Sequence, residues 1–230
     1  MLVASCKMVI HTKSLFCSVL KALRADCVCD IGSRDGDQAL LFRHLLPAAK
    51  IMAFEANPIN FQTMSAKAVL NENLIEIFPY AVTSQKGHAG FYVTDVDYSN
   101  PEENIGTSSL LVHEGLKVRQ TVKVETVRID EFILDHHPSA KQIGLWLDVE
   151  GAEYEVLSGM AGIKDRVVAL HVETARTPMR VGQKTYSELV PLLASMGFVP
   201  SGSNMRRKSI WGDAVFLSRH AIDTLGNRLA

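Results

Sequence analysis

The chain is 230 residues long with 47% hydrophobic and 21% charged residues, a globular composition that excludes a disordered or fibrous chain and suits one substantial core. Lys plus Arg total 24 and Asp plus Glu total 25, a formal net charge of −1 that offers no global attraction for nucleic acid or an anionic membrane, so neither is expected as a partner.

All four cysteines, Cys6, Cys17, Cys27 and Cys29, lie in the first 29 residues, where they cannot staple distant parts of the chain. Cys27-x-Cys29 also lacks the spacing of a zinc or thioredoxin site, so buried thiols in a reducing compartment are expected. Met1-Leu-Val-Ala-Ser-Cys6 is apolar but short, Lys7 interrupts it, and no clear cleavage site follows. With no apolar stretch of membrane-spanning length either, the expected location is cytoplasmic.

Along the chain, Leu15, Phe16, Val19, Leu20 and Leu23 recur at helical spacing between Ser14 and Leu23, which predicts an amphipathic helix supporting a sheet edge. Cys27–Ile31 is a short apolar run ending in Gly32-Ser-Arg-Asp-Gly36, and a helical pattern follows from Asp37 to Leu46, stopped by Pro47. Ile51–Phe54 is a second run ending at Glu55; Pro58 then suits the first turn of a helix that continues toward Asn71. Leu74–Phe78 is a third run. Runs and helices in this alternation predict β-α-β-α-β, hence a parallel sheet with right-handed crossovers.

The rhythm breaks in the middle. Gly90–Val93 and Thr121–Glu125 read as strands, and between them Asp95–Gly115 is rich in Asp, Asn, Pro, Gly and Ser, either a functional lid or a disordered excursion. Order resumes with a helix over Ile129–Leu134 and a strand over Ile143–Leu147 ending at Asp148. A helix over Tyr154–Met160 leads to a strand over Val167–Val172 ending at Glu173. A helix over Tyr186–Met196, a short strand from Phe198 and a last strand over Trp211–Leu217 complete six or seven sheet strands in one domain.

Three constellations carry chemistry. In Asp30-Ile-Gly-Ser-Arg-Asp-Gly36, Gly32 lets the chain turn off the strand and Gly36 lets a ligand or a helix come close, in the crevice at the carboxyl edge of a parallel sheet. The spacing matches neither G-x-G-x-x-G nor a P-loop, which favours a ligand with a ribose but no pyrophosphate cradle. Glu55, 25 positions beyond Asp30, is a carboxylate placed to accept both ribose hydroxyls; alone, it could be a helix N-terminal acid before Asn57-Pro58. Asp148-Val-Glu-Gly-Ala-Glu153 gathers acids that could hold a divalent metal such as Mg2+, supply a general base or cap a helix, with capping expected for Glu153. His171 and Glu173, two apart on a strand, share a face; His171 suits a general base, or equally a histidine packed against a helix.

Val28-Cys-Asp-Ile-Gly-Ser-Arg-Asp-Gly36, Phe54-Glu-Ala-Asn-Pro58 and Leu147-Asp-Val-Glu-Gly-Ala-Glu153 together resemble the FkbM family of S-adenosylmethionine-dependent methyltransferases, over Val28 to about Leu217. The resemblance implies a Rossmann-like, seven-stranded class I methyltransferase sheet, mostly parallel with a final antiparallel strand and helices on both faces. It implies an N-terminal helical extension over 1–24 and a methyltransferase domain over 25–230, with an inserted loop or lid around 90–120. Asp30, Gly32 and Ser33 would line the methionine part of the cofactor, Glu55 would hold the ribose, Ala56 and Asn57 would flank the adenine, and Tyr80 and Ala81 would lie against its ring. Ser33-Arg34 departs from the small-polar pair usual in the family. Arg34 is expected to face solvent or pair with Asp35 or Asp37.

The implied reaction is an in-line displacement at the sulfonium methyl by an acceptor oxygen, most simply a hydroxyl of a sugar or natural-product intermediate, with Asp148 and His171 or Glu173 around the acceptor. The loop over Asp95–Gly115 and the helical N-terminus are expected to wall the acceptor pocket, with Tyr92, Tyr98 and Ile105–Leu110 offering contacts. Arg176 and Arg180 could meet an anionic substrate or simply face solvent. An N-methyltransferase would share the cofactor features, and a non-catalytic nucleoside-binding module would share the loop. A nucleic-acid methyltransferase would want more than the short basic run Arg206-Arg207-Lys208. Exposed helices leave room for a homodimer.

Overall fold

The computed structural model describes residues 11–94, 106–206 and 209–229. Cys6, Lys7, Tyr98, Arg207, Lys208 and the part of the central loop from Asp95 to Ile105 lie outside the described residues. In chain order the elements are α1 (Thr12–Leu23), β1 (Cys27–Ile31), α2 (Asp37–Leu45), β2 (Lys50–Phe54), α3 (Pro58–Ser65), α4 (Ala68–Glu72), β3 (Glu76–Phe78), β4 (Tyr80–Val82), β5 (Gly87–Thr94) and β6 (Val118–Val127). They continue with α5 (Ile129–His136), β7 (Ile143–Leu147), α6 (Glu153–Ser158), β8 (Val167–Ala175), α7 (Tyr186–Ser195), β9 (Phe198–Ser203), β10 (Trp211–Ser218) and α8 (Arg219–Leu229).

Seven strands form one sheet in the order β3-β2-β1-β7-β8-β10-β9, parallel throughout except at β10, which runs antiparallel to β8 and β9. This is the mostly parallel sheet with an antiparallel final strand that the sequence resemblance implies. Chain order reverses direction at β1, so the crevice between the carboxyl ends of β1 and β7 is the topological switch point, where ligands bind in open α/β sheets.

Strand alternation divides the core between the two faces of the sheet. Cys27, Cys29 and Ile31 of β1 point toward Phe132 and Ile133 of α5, Val156 and Leu157 of α6, and Leu189 and Leu193 of α7. Val28 points the other way, with Phe16 and Leu20 of α1, Ala39 and Phe42 of α2, and Ala221 of α8. Phe16 and Leu20 are fully buried, each contributing about 1.5–3 kcal/mol of transfer free energy. Thus α1 belongs to the core, as a support for β8 and β10. Cys27 and Cys29 are buried free thiols and Cys17 is half-buried, in keeping with the expectation from their spacing. No described helix is long and apolar enough to cross a membrane.

The structure departs from the sequence expectations in four places. The helix expected from Pro58 toward Asn71 breaks at Lys67, which takes an extended conformation and turns its ammonium back to the Asp35 carbonyl at 2.7 Å and to Asp37 at 3.1 Å. The strands expected at 90–93 and 121–125 belong to a second sheet, order β4-β6-β5, with its own small core of Ala81, Phe91, Val93 and Val124. β8 runs on through Glu173 to Ala175, because β10 pairs with it along that whole length. Finally, α8 was not expected; Ala221 is buried in the core and Leu225 packs against it.

Candidate functional site

The loop from β1 to α2 is held by backbone contacts that leave no room for variation at Gly32. Its φ is +85°, its N–H donates to the Phe54 carbonyl at 3.0 Å, and a Cβ built on it would lie 1.8 Å from the Asp148 carbonyl oxygen. Gly36, with φ +82°, serves the other purpose foreseen for it: it lines neither of the clefts described below, and a Cβ there would meet Leu70 Cδ1 at 2.5 Å, so it admits the α3–α4 segment. Ser33 donates its hydroxyl to Asp30 Oδ2 at 2.5 Å. The Arg34 backbone N–H donates to Glu55 Oε2 at 2.7 Å, while its half-exposed guanidinium pairs with Asp35 at 3.1 Å.

Glu55 follows β2 and is buried. Its second oxygen accepts the Asn57 N–H at 2.7 Å and the Asn60 side chain hydrogen-bonds to the same carboxylate, so each oxygen has one backbone donor and the group keeps acceptor capacity for a further partner. Burial pushes its carboxyl up to about 7, against the pull of those donors. Asn57 caps α3 through the Ile59 N–H at 3.1 Å and reaches Ser108 with its amide at 3.3 Å.

Two clefts meet here. The first, of about 530 Å3, is bounded by Gly32, Arg34, Glu55, Ala56, Asn57, Tyr80, Ala81, Phe91 and Leu110, a mostly apolar slot in which Glu55 is a buried carboxylate. The second, of about 900 Å3, is bounded by Lys13, Asp30, Ser33, Gln38, Leu41 and Trp146. Gly32, Arg34, Gly106, Asp148 and Glu150 border both. Of the residues foreseen for a cofactor, Gly32, Glu55, Ala56, Asn57, Tyr80, Ala81 and Asp148 converge on the first cleft, and Asp30 and Ser33 on the second. The central loop borders the slot: Gly106, Ser108 and Leu110 all line it. Ser109 fastens that loop to the far wall by donating to the Glu150 carbonyl at 2.8 Å.

At the end of β7, single carboxylate oxygens of Asp148, Glu150 and Glu173 lie within 4.8 Å of one another. Glu153 is not the third acid of this group: from the first turn of α6 it turns back into the β7–α6 loop and accepts the Gly151 N–H at 3.0 Å and the Val149 N–H at 3.3 Å, so it braces that loop and makes no side-chain cap of the helix, the role expected of it. Glu150 is ion-paired with the buried Arg180, whose guanidinium also donates to the Thr107 carbonyl at 3.1 Å. Arg180 is therefore a structural cation, in contrast to the expectation of a substrate or surface contact; only Arg176 is exposed. This pairing engages one oxygen of Glu150 from within the chain without withdrawing the side chain from Asp148 and Glu173. Asp148 is exposed to the clefts, and desolvation by the surrounding protein, with Glu150 beside it, pushes its carboxyl up to about 7. Glu173 hydrogen-bonds to Asp148 and faces Asp213 across the β8–β10 ladder. Burial and those neighbouring acids push it up to about 10. The Asp148–Glu173 pair thus holds one proton near neutrality, leaving Asp148 the member able to take another.

His171 does not join them. Its ring stacks on Trp146 at 3.5 Å between centroids, with Phe16 against its edge, and neither nitrogen has a hydrogen-bond partner among the described residues. Burial, aided by Lys13, lowers its pKa to about 3, so it stays neutral and is a weak proton acceptor. Of the two readings open in the sequence, packing under a helix is the one observed, and i, i+2 spacing brought it onto the face of Glu173 but one layer deeper. Sequence reasoning passed over Trp146, Gln38 and Lys13, which carry no motif and meet only because β7, α2 and α1 converge.

The buried acids set a pH dependence of folding. Asp30 and Glu55 are raised to about 7 and Glu153 to about 8, in each case by burial first. A folded-state carboxyl raised above its unfolded value stabilises below the unfolded pKa and loses that stability as pH rises toward the folded one. His171, neutral when folded, works in the opposite direction below about 6.5, but it is one group against several. The thermal midpoint of the ligand-free protein is therefore expected to rise as pH falls from 7.5 to 5.5. A calorimetric series showing a flat or falling midpoint would contradict this.

Comparison with known proteins agrees with this geometry. A family model described as the methyltransferase FkbM domain matches residues 30–200. The chain is 25% identical over 185 residues to the 2-O-methyltransferase NoeI of Sinorhizobium fredii, covering 76% of this chain and 71% of that protein. Among solved structures, it is similar to the magnesium protoporphyrin IX methyltransferase of Synechocystis PCC 6803 with bound SAM (TM-score 0.49, 11% identity, 90% of this chain and 77% of that one). It is also similar to the precorrin-6y C5,15-methyltransferase of Geobacter metallireducens (TM-score 0.43, 14% identity, 93% and 91%). With a matched region that runs from Asp30 in the glycine loop to Pro200 in β9, the chain belongs to the FkbM methyltransferase family.

Proposed function

We propose that the protein transfers the methyl group of S-adenosylmethionine to a hydroxyl oxygen of a small molecule, a sugar or natural-product intermediate. The observation that carries this is the placement of Glu55: a buried carboxylate lining a mostly apolar slot, each oxygen already oriented by one backbone N–H. Such a group takes a ribose diol, while Ala56, Tyr80, Ala81, Phe91 and Leu110 give a flat base apolar surroundings. When bound, S-adenosylmethionine supplies an electrophilic methyl group. The chain's own part is to align the acceptor and accept its proton. Asp148, where the two clefts meet, is assigned the base, and Glu173, hydrogen-bonded to it, holds the shared proton and orients it. The 2-O-methyltransferase among its relatives supports oxygen as the acceptor atom.

Isothermal titration with S-adenosylmethionine and S-adenosylhomocysteine, with NAD as a control, tests the cofactor. Saturable binding of the first two is expected, weakened about ten- to hundredfold by Glu55→Ala, since a buried charge-assisted hydrogen bond contributes about 1.5–3 kcal/mol. Absence of binding by folded protein would refute the reading. Among trial acceptors, turnover of amines but not alcohols would move the activity to nitrogen, and binding without turnover of any acceptor would leave a nucleoside-binding module.

A further inference from the structure

The second cleft contains two hydrogen-bond donors that the described protein leaves without an acceptor. Gln38 Nε2 on α2 is buried with no hydrogen-bond partner. Leaving a buried amide donor unmade costs free energy that a ligand acceptor would restore. Lys13 on α1 borders the same cleft, and among the described residues it is in no ion pair; its ammonium lies over the Trp146 ring, 6.0 Å from the centroid. Trp146 is itself fixed by its stack on His171, which explains why a histidine with no proton to exchange is buried there. Lys13 also stands in the first turn of α1, the end of a helix where the dipole disfavours a cation, and no acid accompanies it there. An unpaired amide, an unpaired ammonium and the start of a twelve-residue helix thus surround one space. The rest of the lining is mainly acidic, with Asp30, Asp35, Asp37, Asp148 and Glu150, and Arg34 is paired with Asp35. One cationic corner at α1 in an otherwise acidic cleft suits a zwitterion, its carboxylate at Lys13 and its ammonium toward Asp30.

We infer that Lys13 and Gln38 form the subsite for the α-carboxylate at the amino-acid end of the cofactor, making α1 a part of the cofactor site as well as a support of the sheet. The inference rests on the S-adenosylmethionine reading above. It accounts for the division of the site into two clefts that meet at Gly32 and Asp148: the nucleoside occupies the slot at Glu55 and the amino-acid end extends past Gly32 toward α1. The end of the second cleft at Asp148 and Glu150 is left to the acceptor.

The test compares two ligands that share the nucleoside and differ in the amino-acid end, S-adenosylhomocysteine and 5′-methylthioadenosine, titrated without acceptor into wild type, Lys13→Met and Gln38→Leu. Each substitution is expected to weaken S-adenosylhomocysteine about tenfold or more, the loss of one hydrogen bond to a charged group, and to leave 5′-methylthioadenosine within about twofold. Gln38→Leu is further expected to keep or raise the thermal midpoint of the free protein, because it removes an unsatisfied donor, so a loss of affinity there is not a loss of fold. Unchanged S-adenosylhomocysteine affinity in both variants would overturn the inference, and so would an equal loss for both ligands, which would mean that α1 merely supports the nucleoside slot. Failure of the wild type to bind either ligand is a different result and refutes the cofactor reading along with it. An effect confined to acceptor KM would assign the two donors to the acceptor and overturn the inference too.

Discussion

Asp148→Asn is expected to lower kcat by about a hundred- to ten-thousandfold, the usual contribution of a positioned general base, while S-adenosylhomocysteine affinity changes little. Asn keeps the shape of the side chain and removes only the ability to take a proton. The fold has no reason to suffer. The Asp148 N–H continues the β-ladder to the Ile31 carbonyl at 2.9 Å and is retained, and replacing one acid relieves the crowding with Glu150, Glu173 and Asp213. The thermal midpoint should therefore hold or rise. The wild-type pH–rate profile carries the complementary signature. A base whose folded pKa is raised to about 7 is mostly protonated in mild acid, so kcat should climb as pH passes through neutrality and level off above it. That limb should vanish in Asp148→Asn. A variant retaining kcat within about threefold of wild type would remove Asp148 from the role, and the same loss in Glu173→Gln with an active Asp148→Asn would exchange the two acids.

How much of this was legible in the sequence depended on whether a residue's partner lay nearby along the chain. The strands β1 and β7 were legible to the residue, because five-residue apolar runs buried on both sides have sharp ends at Asp26, Gly32 and Asp148. Gly32, Glu55 and Asp148 were legible as site residues because each ends or follows a parallel strand, and parallel strands bring their carboxyl ends to one edge. What failed were inferences about direction and depth. His171 and Glu173 share a face as their spacing requires, but spacing does not say that α1 covers the first while the second reaches Asp148. Arg180 read as a surface cation because its partner Glu150 is 30 positions away, joined only once β7 and β8 lie side by side. The second sheet was half legible. Alternation marked β5 and β6, but their detachment from the main sheet is a matter of pairing, which no local pattern encodes.

The Gly32→Ala substitution is the smallest change with the largest expected structural consequence. Two separate costs coincide at this position. An alanine at φ +85° carries the left-handed penalty of about 1–2 kcal/mol. Its methyl carbon would also stand 1.8 Å from the Asp148 carbonyl oxygen, and the atom it meets is backbone of the adjacent strand end, not the free end of a side chain. Overpacking of this kind costs about 1–3 kcal/mol even where neighbours yield. The sum, roughly 2–5 kcal/mol, is a large share of an ordinary domain stability of about 5–15 kcal/mol. For a chain of this length it corresponds to a fall in thermal midpoint of about 4–20 °C. The two ways of relieving the clash have different functional outcomes. If the glycine loop retreats, the Gly32 and Ser33 amides leave the Phe54 carbonyl, each now at 3.0 Å, and Arg34 is drawn from Glu55, so nucleoside affinity falls. If instead the β7 end moves, Asp148 shifts against Glu173 and kcat falls with affinity kept. Thermal melting with S-adenosylhomocysteine titration and, once an acceptor is in hand, single-turnover rates would tell them apart. A Gly32→Ala protein with wild-type midpoint, affinity and rate would mean that the close approach of the β1 turn to the β7 end is not what holds the two clefts together.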